Sequence, residues 1–171
     1  MADDALTADM AAPPGDVRWE KTYLGLPATV SRVRCDVRAI IDPCPEVIAD
    51  NLELVVSELA TNAIRHSRSG EPGGTYVVRI FHYVTEKVPY IWAEVEDQGS
   101  PSWDGILHPE PTHGLSVIQC LSTRMGSDDS PDGQRTVYAR LEYRPDGTPL
   151  YTTTRVPELP LDLCGIRDVG G

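Results

Sequence analysis

Four side chains able to do chemistry fall on one stripe of a single predicted helix. In "SELATNAIRHS", residues 57–67, the positions of Glu58, Asn62, Arg65 and His66 place them on one α-helical face. A carboxylate can act as general base toward a hydroxyl or a water. An Asn carbonyl oxygen is a hard ligand suited to Mg2+, which keeps waters and phosphate oxygens in its other positions. Arg and His beside such a group would offset its charge. The same spacing also fits a solvated helix face with an i, i+4 pair. Burying an ionised carboxylate without a partner is costly, so what the stripe faces decides between the two.

Two more polar features follow regular apolar elements. In "AEVEDQGSP" a strand alternates Ile91, Ala93 and Val95 inward and ends in Asp97, which is in phase with that face. A carboxylate there can accept a hydrogen bond from an exocyclic amine, while Gly99 lets a flat ring approach the backbone. A turn Asp capping its own loop is the alternative. In "PTHGLSVIQ" a loop reaches a helix start through Gly114, and unpaired N–H groups at a helix start attract phosphate.

The elements that must position these groups are legible from apolar spacing. "VRWEKTYLG" alternates as an edge strand, and "LPATVSRVRCDVRAII" carries Val30, Val33, Val37 and Ile40 at helical spacing. "DPCPE" breaks the chain before a long helix over 46–67, built on Ile48, Leu52, Val55, Leu59 and Ala63. "TYVVRIFHYV" and "PYIWAEVED" read as a hairpin. "THGLSVIQCLSTRM" reads as a helix with Thr112 as N-cap, and "SDDSPDGQ" as the turn into a last strand, "RTVYARLEY". An edge strand at "LYTTTR" completes the order. Helices gather on one side of a largely antiparallel sheet, an α+β fold of two layers. Residues 1–16 read as a disordered tail, 17–143 as the folded domain and 144–171 as a Pro-rich tail.

Composition narrows the function classes. The chain has 171 residues and a formal net charge of −11, enough for one domain with its own core. That charge argues against direct nucleic-acid binding and against docking on anionic membranes, both of which need a basic face. Cys35, Cys44, Cys120 and Cys164 lie far apart without a CxxC pair, so reduced packing thiols are expected rather than a zinc site. The acidic N-terminus lacks the pattern of a signal peptide, no run reaches a membrane span, and a cytoplasmic protein is expected.

The order Glu–x3–Asn–Ala–x2–His, Asp–x–Gly–x–Pro, Gly-Leu opening a helix and Thr in a final strand resembles the gyrase/chaperone/histidine-kinase/MutL (GHKL) superfamily. The resemblance covers roughly residues 17–143. "SELATNAIRHS" is similar to its N box, "DQGSP" to the first glycine box, "THGLSVI" to a shortened second and "GQRTVYARL" to the closing strand. Within it, the chain is similar to anti-sigma-factor serine kinases. The resemblance implies the Bergerat ATP-binding fold, with ATP and Mg2+ as cofactors. Glu58 would be the general base, and Asn62 would hold Mg2+. Arg65 and His66 would face phosphate, Asp97 and Thr136 would surround adenine, and Gly99, Thr112, Gly114 and Leu115 would line the nucleotide. The implied partners are a sigma factor and an anti-anti-sigma (STAS) protein bearing the acceptor serine or threonine, with homodimerisation as a family expectation. The second glycine box holds one glycine in "THGL", and Glu110 precedes it. This leaves a second reading, a non-catalytic docking module with a degenerate nucleotide pocket.

Overall fold

The computed structural model of the chain describes residues 18–102 and 114–151. Its elements run β1 (Trp19–Leu24), α1 (Thr29–Ile40), α2 (Glu46–His66), a 3-10 turn (Arg68–Gly70), β2 (Thr75–Tyr83) and β3 (Tyr90–Asp97). After the undescribed residues 103–113 come α3 (Gly114–Leu121), β4 (Arg124–Asp129), β5 (Arg135–Tyr143) and β6 (Pro149–Leu150). The sheet order is β1-β2-β3-β5-β4, with β6 pairing β5, and every pairing is antiparallel. The expected two-layer α+β sandwich is the observed one.

Period-2 alternation divides the sheet into two faces. Val78 and Ile80 of β2, Ile91, Ala93 and Val95 of β3, and Val137, Ala139 and Leu141 of β5 are buried beneath the helices. From above, α2 supplies Ile48, Leu52, Val55, Val56, Leu59, Ala60 and Ala63, and α1 supplies Val33 and Val37. Each large side chain so buried contributes about 1.5–3 kcal/mol. This burial therefore fixes which face of α2 points inward and leaves Glu58 and Asn62 at its margin. The opposite sheet face carries an aromatic cluster, Phe81, Trp92 and Tyr138, in which Trp92 and Tyr138 stack at 4.5 Å.

Two boundaries differ from the sequence reading. The third helix stops at Leu121 rather than Met125, and Ser122 Oγ donates to the Ile118 carbonyl at 2.7 Å as it ends. The chain then forms β4, whose residues the sequence reading divides between the end of that helix and the following turn. "RMGSDD" has little β propensity, and it is held by its ladder with β5. Gly126 is required there: a Cβ would lie 2.4 Å from Tyr138 Oη, so the Tyr138 ring leans over it. At the other end, the expected strand at 150–155 is observed only as Pro149–Leu150, and residues 152–155 lie outside the described residues, as do 1–17 and Cys164.

Cys35 is exposed rather than packed, while Cys44 and Cys120 are half-buried, all three free thiols. Burial pushes the Cys44 thiol up to about 11. Among the described residues no helix is long and apolar enough to cross a membrane.

Candidate functional site

The C-terminal half of α2 presents the expected stripe. Glu58 and Asn62 are half-buried, while Arg65 and His66 are exposed at the helix end. Glu58 meets the start of α3: a Cβ on Gly114 would lie 1.8 Å from Glu58 Oε2. With a side chain at 114, the Glu58 carboxylate would have to move from where α3 begins. The N–H groups of a helix start favour the negative charge there. Asn62, one turn further along, holds a side-chain Nδ2 that is buried and has no hydrogen-bond partner among the described residues. An orphaned buried amide is costly and marks a position where a ligand group is expected. Leu115 packs its side chain onto the core, and Thr112 lies outside the described residues.

Beyond His66 the chain turns sharply. Ser67 Oγ donates to the Ala63 carbonyl at 2.6 Å and accepts from the Ser69 N–H at 3.0 Å, ending α2 and capping the 3-10 turn. This turn is then bound to the loop after β3. The Arg68 N–H donates to the Gly99 carbonyl at 2.9 Å, and the Arg68 guanidinium reaches the Gln98 carbonyl at 2.8 and 3.0 Å. Ser69 Oγ accepts from the Gln98 N–H at 2.9 Å. The stripe on α2 and the Asp97–Gly99 segment are thereby fixed to each other. Arg68 and Ser69, which no sequence motif singled out, join them.

Asp97 does point toward the helix side, as its phase requires, and it is buried. Its carboxylate is already engaged. Arg135 donates to Oδ2 from Nε at 3.0 Å and from Nη2 at 2.6 Å, and the Gly99 N–H donates to Oδ1 at 2.7 Å. Burial outweighs these contacts and holds the Asp97 carboxyl above its ordinary value.

Thr136 does not join Asp97. The register pairs Asp97 with Arg135 and Thr136 with Glu96, so Thr136 stands on the opposite sheet face, in phase with Tyr138. The signal for Arg135 is the same alternation that found Asp97: Arg135, Val137, Ala139 and Leu141 share one phase. Gly99 also differs from expectation. It has φ +67, and a Cβ there would lie 2.0 Å from the Gly133 carbonyl oxygen, so the turn between β4 and β5 makes the close approach expected of a ring.

The site therefore has two unlike ends. At the α2–α3 end stand a carboxylate at a helix start and an amide whose nitrogen has no partner among the described residues, groups of the kind that Mg2+ and phosphate would use. The amide can present either its nitrogen or, turned over, its oxygen. At the β3–β5 end, an adenine amine would meet a carboxylate already paired with Arg135, and the residues as folded do not fit it. A groove of about 410 Å³ opens nearby between Arg68, Gln98, Asp132 and Gln134. It includes none of Glu58, Asn62, Asp97 or Gly114.

A family model described as histidine kinase-like ATPase domain matches residues 25–140, more than half of the 171 residues. No curated protein matches the chain.

Proposed function

Because the chain belongs to the histidine kinase-like ATPase domain family, we propose that it is an ATP-binding regulatory protein acting on other proteins in the cytoplasm. In this reading it holds a sigma factor, and as a serine/threonine-protein kinase it modifies an anti-anti-sigma (STAS) partner. Phosphorylating the antagonist would leave it free to hold the sigma factor.

One observation carries this reading. Glu58 meets the start of α3 across Gly114, and Asn62 on the same stripe keeps a buried amide without a partner among the described residues. Glu58 would take the proton from the acceptor hydroxyl. Asn62 would hold Mg2+, and Arg65 and His66, exposed at the helix end, would face phosphate. ATP, when bound with Mg2+, supplies the phosphoryl group and its charge compensation. Positioning and charge neutralisation account for most of the rate in such transfers, so the demand on this chain is to hold Glu58 and Asn62 in fixed relation. Their place on one rigid helix does that.

The Asp97–Arg135 pair favours a second reading. With the base-binding carboxylate taken, the fold would serve as a docking module whose nucleotide pocket is degenerate.

Phosphoryl transfer separates the two. The protein is incubated with labelled ATP–Mg2+ and a panel of anti-anti-sigma proteins, alongside Glu58→Gln and Asn62→Ala. Transfer that both substitutions abolish supports the kinase. Tight partner binding without nucleotide affinity would sink it in favour of the docking module.

A further inference from the structure

Four hydrogen bonds tie the residues just after α2 to the loop just after β3. The Arg68 N–H donates to the Gly99 carbonyl at 2.9 Å, and Ser69 Oγ accepts from the Gln98 N–H at 2.9 Å. The other two come from the Arg68 side chain, whose Nε and Nη2 both donate to the Gln98 carbonyl, at 3.0 and 2.8 Å. Hydrogen bonds from an ionised donor are the stronger kind, so much of the tie depends on one side chain. That side chain is exposed, lines the groove beside Gln98 and belongs to neither apolar cluster. Replacing it therefore opens no cavity in the core.

The tie lies next to the last turn of α2. That turn carries Arg65 and His66, both exposed, while the last fully buried residue of the helix is Ala63. The final carbonyls of a helix lack intrahelical partners, and its end opens more readily than its middle. Here the Ala63 carbonyl is met by Ser67 Oγ, which also accepts from the Ser69 N–H. The turn at 67–70 thus closes the helix end, and Arg68 fastens that turn to the sheet.

We propose that Arg68 is a positioning residue for the phosphate-facing end of α2. Its fork on the Gln98 carbonyl holds the last helical turn in register with the loop after β3, so that Arg65 and His66 stay where an anionic ligand on the Glu58–Asn62 stripe meets them. Arg68 acts through these two residues and does not itself touch the ligand. The inference rests on the nucleotide reading of the stripe.

The first measurement needs no nucleotide. Amide hydrogen exchange is compared in the wild-type chain, Arg68→Ala and Arg68→Lys. Arg68→Ala is expected to speed exchange at the Arg65 and His66 amides about tenfold, the scale of a lost charge-assisted hydrogen bond, and to leave Val55 and Leu59 unchanged. Arg68→Lys, which keeps the charge and one donor, is expected to recover part of the protection. Exchange at 65 and 66 that stays at the wild-type rate overturns the proposal, as does a rise that extends equally to Val55 and Leu59.

The second measurement is ATP–Mg2+ affinity by calorimetry, for the wild-type chain, Arg68→Ala, Arg65→Ala combined with His66→Ala, and all three together. Arg68→Ala is expected to weaken binding about tenfold. Added to the Arg65→Ala/His66→Ala background it is expected to cost nothing further, because it acts through the residues already removed. A full further loss in the triple variant overturns the proposal, since Arg68 would then act on the ligand by another route. Equal affinity in wild type and Arg68→Ala overturns it while leaving the nucleotide reading intact. Absence of ATP binding by the wild-type chain overturns that reading and the proposal with it.

Discussion

Arg135 and Asp97 face each other across β5 and β3, with Nη2 2.6 Å from Oδ2 and both side chains almost wholly buried. Burial outweighs the pairing for Asp97, so the pair is costly to assemble and costlier to break. Removing either partner alone, by Asp97→Ala or Arg135→Ala, is expected to cost about 3 kcal/mol, because it breaks a buried ion pair. Asp97→Leu with Arg135→Met is expected to recover most of that. Urea denaturation of the three variants against the wild type measures it.

Gly99 and Gly73 separate backbone strain from crowding. Both have positive φ, +67 and +82, but only at Gly99 would a Cβ collide, 2.0 Å from the Gly133 carbonyl oxygen. Gly73→Ala is expected to lose about 1 kcal/mol from conformation alone. Gly99→Ala is expected to lose about 1–3 kcal/mol and to loosen the turn between β4 and β5. Thermal unfolding should rank the two variants in that order, with Gly99→Ala also releasing hydrogen-exchange protection at the Arg68 amide.

Much of the architecture is legible in the sequence because burial enforces period. The spacing of Ile48, Leu52, Val55 and Leu59 gives α2, and the alternation of Ile91, Ala93 and Val95 carries Asp97 to the inner face. What was missed has no such pattern. "RMGSDD" becomes β4 through its pairing with β5, a long-range contact that its own residues do not announce. The family resemblance holds at the level of the domain, yet it directed attention to Thr136. The alternation of β5 puts Arg135 in phase with its inward residues, and the β3–β5 register sets it opposite Asp97. Arg68 acts through contacts with the Gln98 and Gly99 carbonyls, which depend on the fold and not on any local motif.

Asp36 shows where acid should act on stability. Its carboxylate, on α1, accepts from Lys21 Nζ at 2.6 Å, Tyr23 Oη at 2.8 Å and Arg32 Nε at 3.1 Å. The Lys21 hydrogen bond, with those from Tyr23 and Arg32's charge, holds it below its ordinary value. A lowered folded value means the contribution is present above about pH 4, the unfolded carboxylate's range, and is lost as the pH falls through the folded value. Asp36→Asn is expected to cost about 1–2 kcal/mol at pH 7. Denaturation midpoints of wild type and variant should converge as the pH is taken down from 4.

Gly114 tests the position of Glu58 without replacing its carboxylate. A Cβ there would lie 1.8 Å from Oε2, the far end of a flexible side chain, so Glu58 can move aside. Gly114→Ala is therefore expected to change folding stability by less than about 1 kcal/mol, with the helix gaining from alanine. Phosphoryl transfer should nevertheless fall as far as in Glu58→Gln. Transfer at the wild-type rate in Gly114→Ala would mean that Glu58 is not the base.

Asn62 carries the sharpest contrast between folding and binding. Its buried Nδ2 has no partner among the described residues, so that nitrogen gains no hydrogen bond from them and keeps its desolvation cost. Asn62→Ala is expected to leave the unfolding free energy within about 1 kcal/mol of wild type, or to raise it. A ligand at a hundred times its Kd stabilises the folded state by about 2.7 kcal/mol. ATP–Mg2+ at that level should raise the wild-type melting temperature and leave that of Asn62→Ala where it was. A polar residue kept for the fold would behave in the opposite way, losing stability without ligand and responding to ligand as wild type does. Differential scanning calorimetry with and without ATP–Mg2+ distinguishes the two, because a residue that costs the empty fold energy has to be explained by what it holds when the site is full.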